Sequence, residues 1–368
     1  MRGLRALVIC ALPLLTLAVA LAFVFEVPLE DPLWWLTNEA PPRLSIEGPP
    51  GPVRGPIQAR LALEPASRAR ITSARLDEQA LSVAEGPVTI DTTTLRDGPH
   101  RLEVVAHDTS RRRNLARTNW TFASDNTPPR IELSVDPAEG PQEGRAFVVR
   151  VRSDEPLHDL RATIDGGALR LQSGGGDAFW AIHGIAPGAA PPAISVRAAA
   201  SDAIGNAAEV QRQWPVRPAA FGQDDLDVEP SARELEAHVA EDRQLAEIYR
   251  RSDGARRWEG LFRLPVAGPV STPFGTRRSY EYHPGTDFAE SLGAPVLAPA
   301  GGLVAYVGSV PARGNIVILD HGAGVYSTYA HLLRAEVEAG AAVRMGQTIG
   351  RVGSSGFSTG PHLHWELW

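Results

Sequence analysis

The chain has 368 residues, 43% hydrophobic and 21% charged, which is enough for two to four domains with proper cores and unlike a disordered chain. Its 31 prolines and 35 glycines favour short strands and turns over long helices. The net charge of −7 comes from Asp224 to Glu247, where nine acidic residues face two arginines; the near-neutral remainder has no basic stripe, which argues against a nucleic-acid partner.

Residues 1–30 read as an N-terminal membrane anchor or signal segment. Arg2 and Arg5 precede an uncharged run from Ala6 to Phe25, and Glu26, Glu30 and Asp31 follow it. Twenty helical residues span about 30 Å, the thickness of the bilayer's hydrocarbon layer. Positive charge ahead of the run keeps the start in the cytoplasm and sends the rest across. The expectation is a chain anchored in the inner membrane with its bulk in the periplasm, or secreted if Ala18-Val19-Ala20 is a cleavage site. Cys10, the only cysteine, lies inside this run behind bulky Ile9. Disulfides and a cysteine nucleophile are therefore excluded for the exported part, and lipid attachment is not expected.

Two repeated units follow, at 41–127 and 128–218. Pro41-Pro42-Arg43-Leu44-Ser45-Ile46 recurs as Pro128-Pro129-Arg130-Ile131-Glu132-Leu133, and the pair Asp108 and Trp120 recurs as Asp202 and Trp214. Alternation at Leu102, Val104 and Ala106, and at Phe147, Val149 and Val151, predicts half-buried strands. Asp97-Gly98, Asp165-Gly166-Gly167 and Gly205-Asn206 supply turns. Both units resemble the Ig-like sandwiches of bacterial envelope proteins. They read as spacers, or as contacts for envelope protein partners. Arg111-Arg112-Arg113 reads as a solvated hairpin tip, and His100, His107, His158 and His183 as surface or half-buried residues.

Residues 219–260 read as an acidic helical linker. Ser231 and Glu234 form a capping box, and Leu235, Val239, Ala246 and Tyr249 are expected on one face of a helix ending near Ser252-Asp253-Gly254. His238 on it is expected to be solvated. Whether the helix inhibits the domain that follows is left open.

From 261 to 368 short β runs alternate with glycine turns: Val296-Leu297-Ala298, Leu303 to Val307 and Asn315 to Leu319. A compact, mostly antiparallel β domain is expected. It holds five histidines, His283, His321, His331, His362 and His364, with Asp287 four positions after the first. Pro284-Gly285 forces a turn between His283 and Asp287, so they do not form a helical metal-binding pair. If His362-Leu363-His364 is a strand, both imidazoles project from one face. Imidazoles with a carboxylate suit a catalytic zinc site, in which three protein ligands leave a position for water.

Ordered blocks across this segment carry a specific resemblance. They are Val270 to Arg277, His283-Pro284-Gly285-Thr286-Asp287-Phe288-Ala289, Gly314 to Val317, Asp320-His321-Gly322, Tyr329-Ala330-His331-Leu332, Gly346 to Gly350 and Ser358 to His364. The domain resembles the LytM/lysostaphin-type zinc metallopeptidases, which cut peptidoglycan stem peptides or cross-bridges. The resemblance implies one zinc ion on His283, Asp287 and His364. It places His331 and His362 against water and substrate, as general base and oxyanion stabiliser in an order the sequence leaves open. His321 is expected to be structural. Family domains usually continue beyond the last histidine, whereas only Trp365 to Trp368 follow it here; either the closing strand is short or the sequence is truncated, and a frayed end would weaken the hold on His364.

The overall expectation is a mainly β chain: two Ig-like sandwiches, a helical linker and a C-terminal antiparallel β peptidase domain, after a transmembrane helix. The expected function is a cell-envelope zinc endopeptidase acting on peptidoglycan by metal-activated water. The alternative is a non-enzymatic adaptor that binds the wall or activates another hydrolase. A biotinyl or lipoyl carrier is excluded, because the chain contains no lysine. Which peptide bond is cut does not follow from the sequence.

Overall fold

The computed structural model describes residues 32–224, 231–252, 254–278 and 281–368. The expected membrane segment at 1–30 lies outside the described residues, among which no helix is long and apolar enough to cross a membrane. The architecture is mainly β with antiparallel sheets, and the chain divides into two compact units, residues 1–128 with 203–206, and 129–202 with 207–368.

In the first unit a three-stranded and a five-stranded sheet enclose Leu61, Leu102, Val104 and Phe122. Alternation within Pro56–Glu64 sends every second side chain inward, the pattern of a sheet packed on one face. Asp108 is buried at the end of Gly98–Asp108, where its carboxylate accepts bonds from Ser110, Asn114 and Asn38 and so ties the following turn. Arg111, Arg112 and Arg113 are exposed there, as expected. His100 is buried rather than superficial: its ring nitrogens meet Asp77, Ser124 and the Arg96 carbonyl, which satisfy it in place of water.

The second unit opens with two four-stranded sheets around Phe147, Val149, Val151, Val196 and Trp214. Residues 207–215 complete this sandwich. Its C-terminal part is a nine-stranded antiparallel sheet with its own core. The strands are β1 (Val270–Thr272), β2 (Thr286–Ala289), β3 (Pro295–Leu297), β4 (Gly302–Val310), β5 (Gly314–Gly322), β6 (Val325–Ala335), β7 (Ala342–Val343), β8 (Thr348–Val352) and β9 (His362–Leu367). The main order is β1-β2-β9-β6-β5-β4-β7, with β8 paired to β6 and β3 to β8.

The run Ile316-Val317-Ile318-Leu319 in β5 is apolar at every position because both faces of the sheet are covered. Val317 and Leu319 join Phe288, Tyr329, Leu332 and Leu363 on one side. Ile316 and Ile318 pack on the other side against Leu245 and Ile248 of helix α1 (Ala232–Tyr249). The helix begins just after Ser231, as the cap predicts. Its inward face, however, is Glu241, Leu245 and Ile248, while Val239 is 52% exposed. Contact with the sheet selects the buried stripe, not the apolar residues that α1 carries by itself. His238 is not simply solvated either, since its ring lies 6.0 Å from that of Phe357. At its end Tyr249 stacks on Trp368 at 4.7 Å and bonds the Thr328 hydroxyl.

Helix α1 is thus part of the core of the C-terminal β domain. Leu245→Ala should cost about 2–5 kcal/mol of unfolding free energy, as truncation of a wholly buried leucine does. Denaturant unfolding checks this; a value near zero would mean that the helix is a detached linker.

Candidate metal centre

Strand β9 places the central residues. It pairs with β2 on one edge and β6 on the other, with Asp287 opposite His364 and Ala330 opposite His364 across the second edge. Trp368 and Tyr326 exchange two backbone bonds of 2.9 Å just beyond it. The short closing strand is therefore held on both sides, and a central strand with two ladders does not fray like an edge. His362, His364 and Glu366 project from one face of β9, and Leu363 enters the core on the other.

Three acceptors converge. His283 Nε2 lies 3.1 Å from His364 Nδ1 and 3.2 Å from Asp287 Oδ1, which is 2.7 Å from His364 Nδ1. All three residues are buried. Their outer atoms fix the tautomers. His283 Nδ1–H donates to the Pro273 carbonyl at 3.1 Å, so its Nε2 turns a lone pair inward. His364 Nε2–H donates to Glu366 Oε1 at 2.8 Å, so its Nδ1 does the same. Two lone pairs and a carboxylate oxygen facing each other repel unless a cation sits among them. Their spacing approaches the edge of about 3.3 Å expected for tetrahedral ligands at zinc bond lengths.

The electrostatics agree. Without a metal, a proton on Nδ1 takes the cation's place: burial opposes a charge on His364, yet bonds to Asp287 and Glu366 outweigh it and push its pKa up to about 9. Burial likewise opposes ionisation of Asp287, but the neighbouring His283 and His364 rings prevail and hold its carboxyl far below the usual carboxylate range. The site is built to hold positive charge. Arg278 lies at its margin, 3.8 Å from Asp287 Oδ2.

His331 reaches the site through a β-bulge. Tyr329 and Leu332, three positions apart, both enter the same core, and between their partners Val317 and Asn315 there is one residue fewer. The extra residue is accommodated with His331 at φ 57°, which turns its ring out of the core and onto the site. Its ring centroid lies 4.7 Å from that of His362 and 5.8 Å from that of His364. His331 Nδ1–H donates to the Ser355 carbonyl at 2.8 Å, leaving Nε2 bare. Burial first, then the neighbouring His364 and His362, push its pKa down to about 3. His362 Nδ1–H donates to the Gly360 carbonyl at 2.9 Å, and its Nε2 stands 3.9 Å from Asp287 Oδ1.

All five residues singled out in the sequence therefore meet here. His321 lies elsewhere, bonded to the Gly301 carbonyl and Ser327 in the sheet interior, which fits a structural part. Sequence reasoning missed Glu366, although its place two positions after His364 puts it on the same strand face. Gly285 is needed for close approach: a Cβ there would stand 2.6 Å from the Trp365 carbonyl and 2.8 Å from the His364 ring. Gly285→Ala should add about 1–3 kcal/mol of strain and displace His364. Zinc titration of the folded variant is expected to show weakened binding; unchanged affinity would mean that the contact relaxes freely.

Residues 281–368 match the family model described as Peptidase family M23. The DD-carboxypeptidase/endopeptidase Mpg of Neisseria meningitidis serogroup B is 44% identical over 102 residues, 26% of this chain and 24% of that protein. The peptidoglycan DD-endopeptidase ShyA of Vibrio cholerae serotype O1 is 35% identical over 143 residues, 37% of this chain and 32% of that protein. Among solved structures, the catalytic domain of the antimicrobial peptidase lysostaphin from Staphylococcus simulans is 29% identical, covering 33% of this chain and 84% of that one, with a TM-score of 0.24. The chain spans about a quarter to a third of the length of the two relatives. The C-terminal segment of this chain, residues 281–368, is a Peptidase family M23 domain of the LytM/lysostaphin type.

Proposed function

We propose that this domain is a zinc-dependent endopeptidase that hydrolyses amide bonds in the peptide part of peptidoglycan. The observation that carries the reading is the convergence of three inward acceptors, from His283, Asp287 and His364, beside two further imidazoles with bare Nε2 atoms. When bound, a zinc ion there polarises a substrate carbonyl and makes water a competent nucleophile near neutral pH.

The chain's own groups supply the rest. His331, kept neutral by burial, accepts a hydrogen bond from the attacking water at Nε2 and so orients it. His362 is half-buried and its Nε2 faces the same space, so it takes the proton. The resulting Nε2–H faces the developing oxyanion and then protonates the departing amine. The Ser355 and Gly360 carbonyls hold both rings in register by accepting their Nδ1–H groups.

ShyA is named as a DD-endopeptidase, and by that likeness the bond joining two stem peptides is the first candidate. The test is mass analysis of peptides released from isolated cell-wall sacculi by the purified protein with zinc. Released cross-link products support the reading; none, from folded zinc-loaded protein, overturns it. Placement in the periplasm behind an N-terminal anchor belongs to the same proposal, supported by Arg2, Arg5 and the run Ala6 to Phe25. Membrane fractionation and N-terminal sequencing of the expressed chain test it, and a soluble product beginning after Ala20 would replace the anchor with a signal peptide.

A further inference from the structure

Helix α1 lies outside the segment that matches the family model, yet a chain of buried charged contacts runs from it to a ligand of the metal centre. Glu241 on α1 is 2% exposed, an unusual place for a carboxylate unless it is fully paired. It is paired. Its Oε2 accepts the Ala312 backbone N–H at 2.7 Å, and its Oε1 accepts the Arg313 guanidinium at 2.8 Å. Asp242, the next residue, accepts from the same guanidinium nitrogen at 2.9 Å. Arg313 is itself buried, and its Nε donates to Glu366 Oε1 at 2.6 Å. That oxygen is the one that receives His364 Nε2–H. The backbone of Arg313 works on the other side of the site, where its carbonyl accepts the N–H of His331 at 2.8 Å.

We propose that Glu241 is a positioning residue for the metal centre: through Arg313 it fixes Glu366, and with it the ring of His364, while the same Arg313 backbone holds the bulge that aims His331. The proposal rests on the reading of His283, Asp287 and His364 as a metal site. A guanidinium braces Glu366 in one orientation when it is also held from behind, and Glu241 and Asp242 both hold its Nη1. Trp368 Nε1 clamps the second Glu366 oxygen at 2.8 Å, so the carboxylate has no rotational freedom left. The carboxylate in turn sets the direction in which His364 Nδ1 presents its lone pair. Groups behind a ligand histidine usually change metal affinity by about 10–100-fold when removed. The helix also meets the loop carrying Ser355 through the His238 and Phe357 rings. A segment that reads in sequence as a linker is therefore wired to both His364 and the water-orienting His331.

The test uses the purified full chain and zinc itself, with affinity measured by competition against a chromophoric chelator. Wild type comes first: failure to bind zinc at all would sink the metal-site reading and leave the relay without an object. Given binding, Glu241→Gln, which keeps the shape and loses the charge, is expected to raise the zinc dissociation constant at least tenfold. Leu245→Ala, one turn along the same buried face, is the control for simple loosening of the helix. It is expected to lower thermal stability while leaving zinc affinity of the folded protein within twofold. A twofold or smaller change in Glu241→Gln, or an equal loss in both variants, overturns the proposal. Should Glu241→Gln not fold, Asp242→Asn takes its place, because its side chain is 49% exposed and can be neutralised without leaving a buried orphan. There the relay requires at least a threefold weakening, and no change overturns it.

Discussion

Asp287→Ala is expected to abolish zinc binding and hydrolysis together. The aspartate is the only carboxylate among the three converging acceptors, and its Oδ1 lies within 3.2 Å of both imidazole nitrogens. Without it two neutral imidazoles remain 3.1 Å apart, which is too few ligands for a structural or catalytic zinc site. Arg278, now 3.8 Å from the carboxylate, would be left facing the empty position and would further repel a cation. Metal analysis of the dialysed, folded variant should give no zinc, and wall digestion should fall to background. Retention of stoichiometric zinc would show that Asp287 is not a ligand.

His362→Ala is expected to separate the two properties. Its Nε2 stands 3.9 Å from Asp287 Oδ1 and its Nδ1–H is satisfied by the Gly360 carbonyl, so the three acceptors keep their places when the ring is removed. Zinc should stay bound. Turnover should fall by about 10²–10⁴, the usual contribution of a positioned acid or base. Single-turnover assays of the zinc-loaded variant check this. Loss of metal would make His362 a ligand, and full activity would give its proton-handling role to His331.

The convergence of His283, Asp287 and His364 was legible because each block carries its residue in a short, rigid context. Pro284-Gly285 forces the turn that lets His283 meet Asp287 across β2, and alternation along β9 puts His362 and His364 on one face. Glu366 obeys the same alternation and could have been found by it. The bulge at His331 could not, because a positive φ in a non-glycine residue is held by its surroundings, here the Arg313 and Ser355 carbonyls. Helix α1 shows the larger gap. Its capping serine marked the start, but periodicity of apolar residues pointed to Val239, whereas the buried stripe runs through the carboxylate of Glu241. A charged residue reads as solvent-facing until its partner is known, and Arg313 lies 72 positions away. One clue was present in β5. Four consecutive apolar residues require cover on both faces, and α1 supplies the second. The two repeated units show their β character through alternation and turns, and the structure makes each a two-layer arrangement of sheets.

The most direct measurement is a crystal structure of the zinc-soaked protein with data collected on both sides of the zinc absorption edge. The account predicts one strong anomalous peak per chain, within about 2.2 Å of His283 Nε2, Asp287 Oδ1 and His364 Nδ1. A fully occupied peak elsewhere, or none in a crystal where these three side chains are ordered, would contradict it.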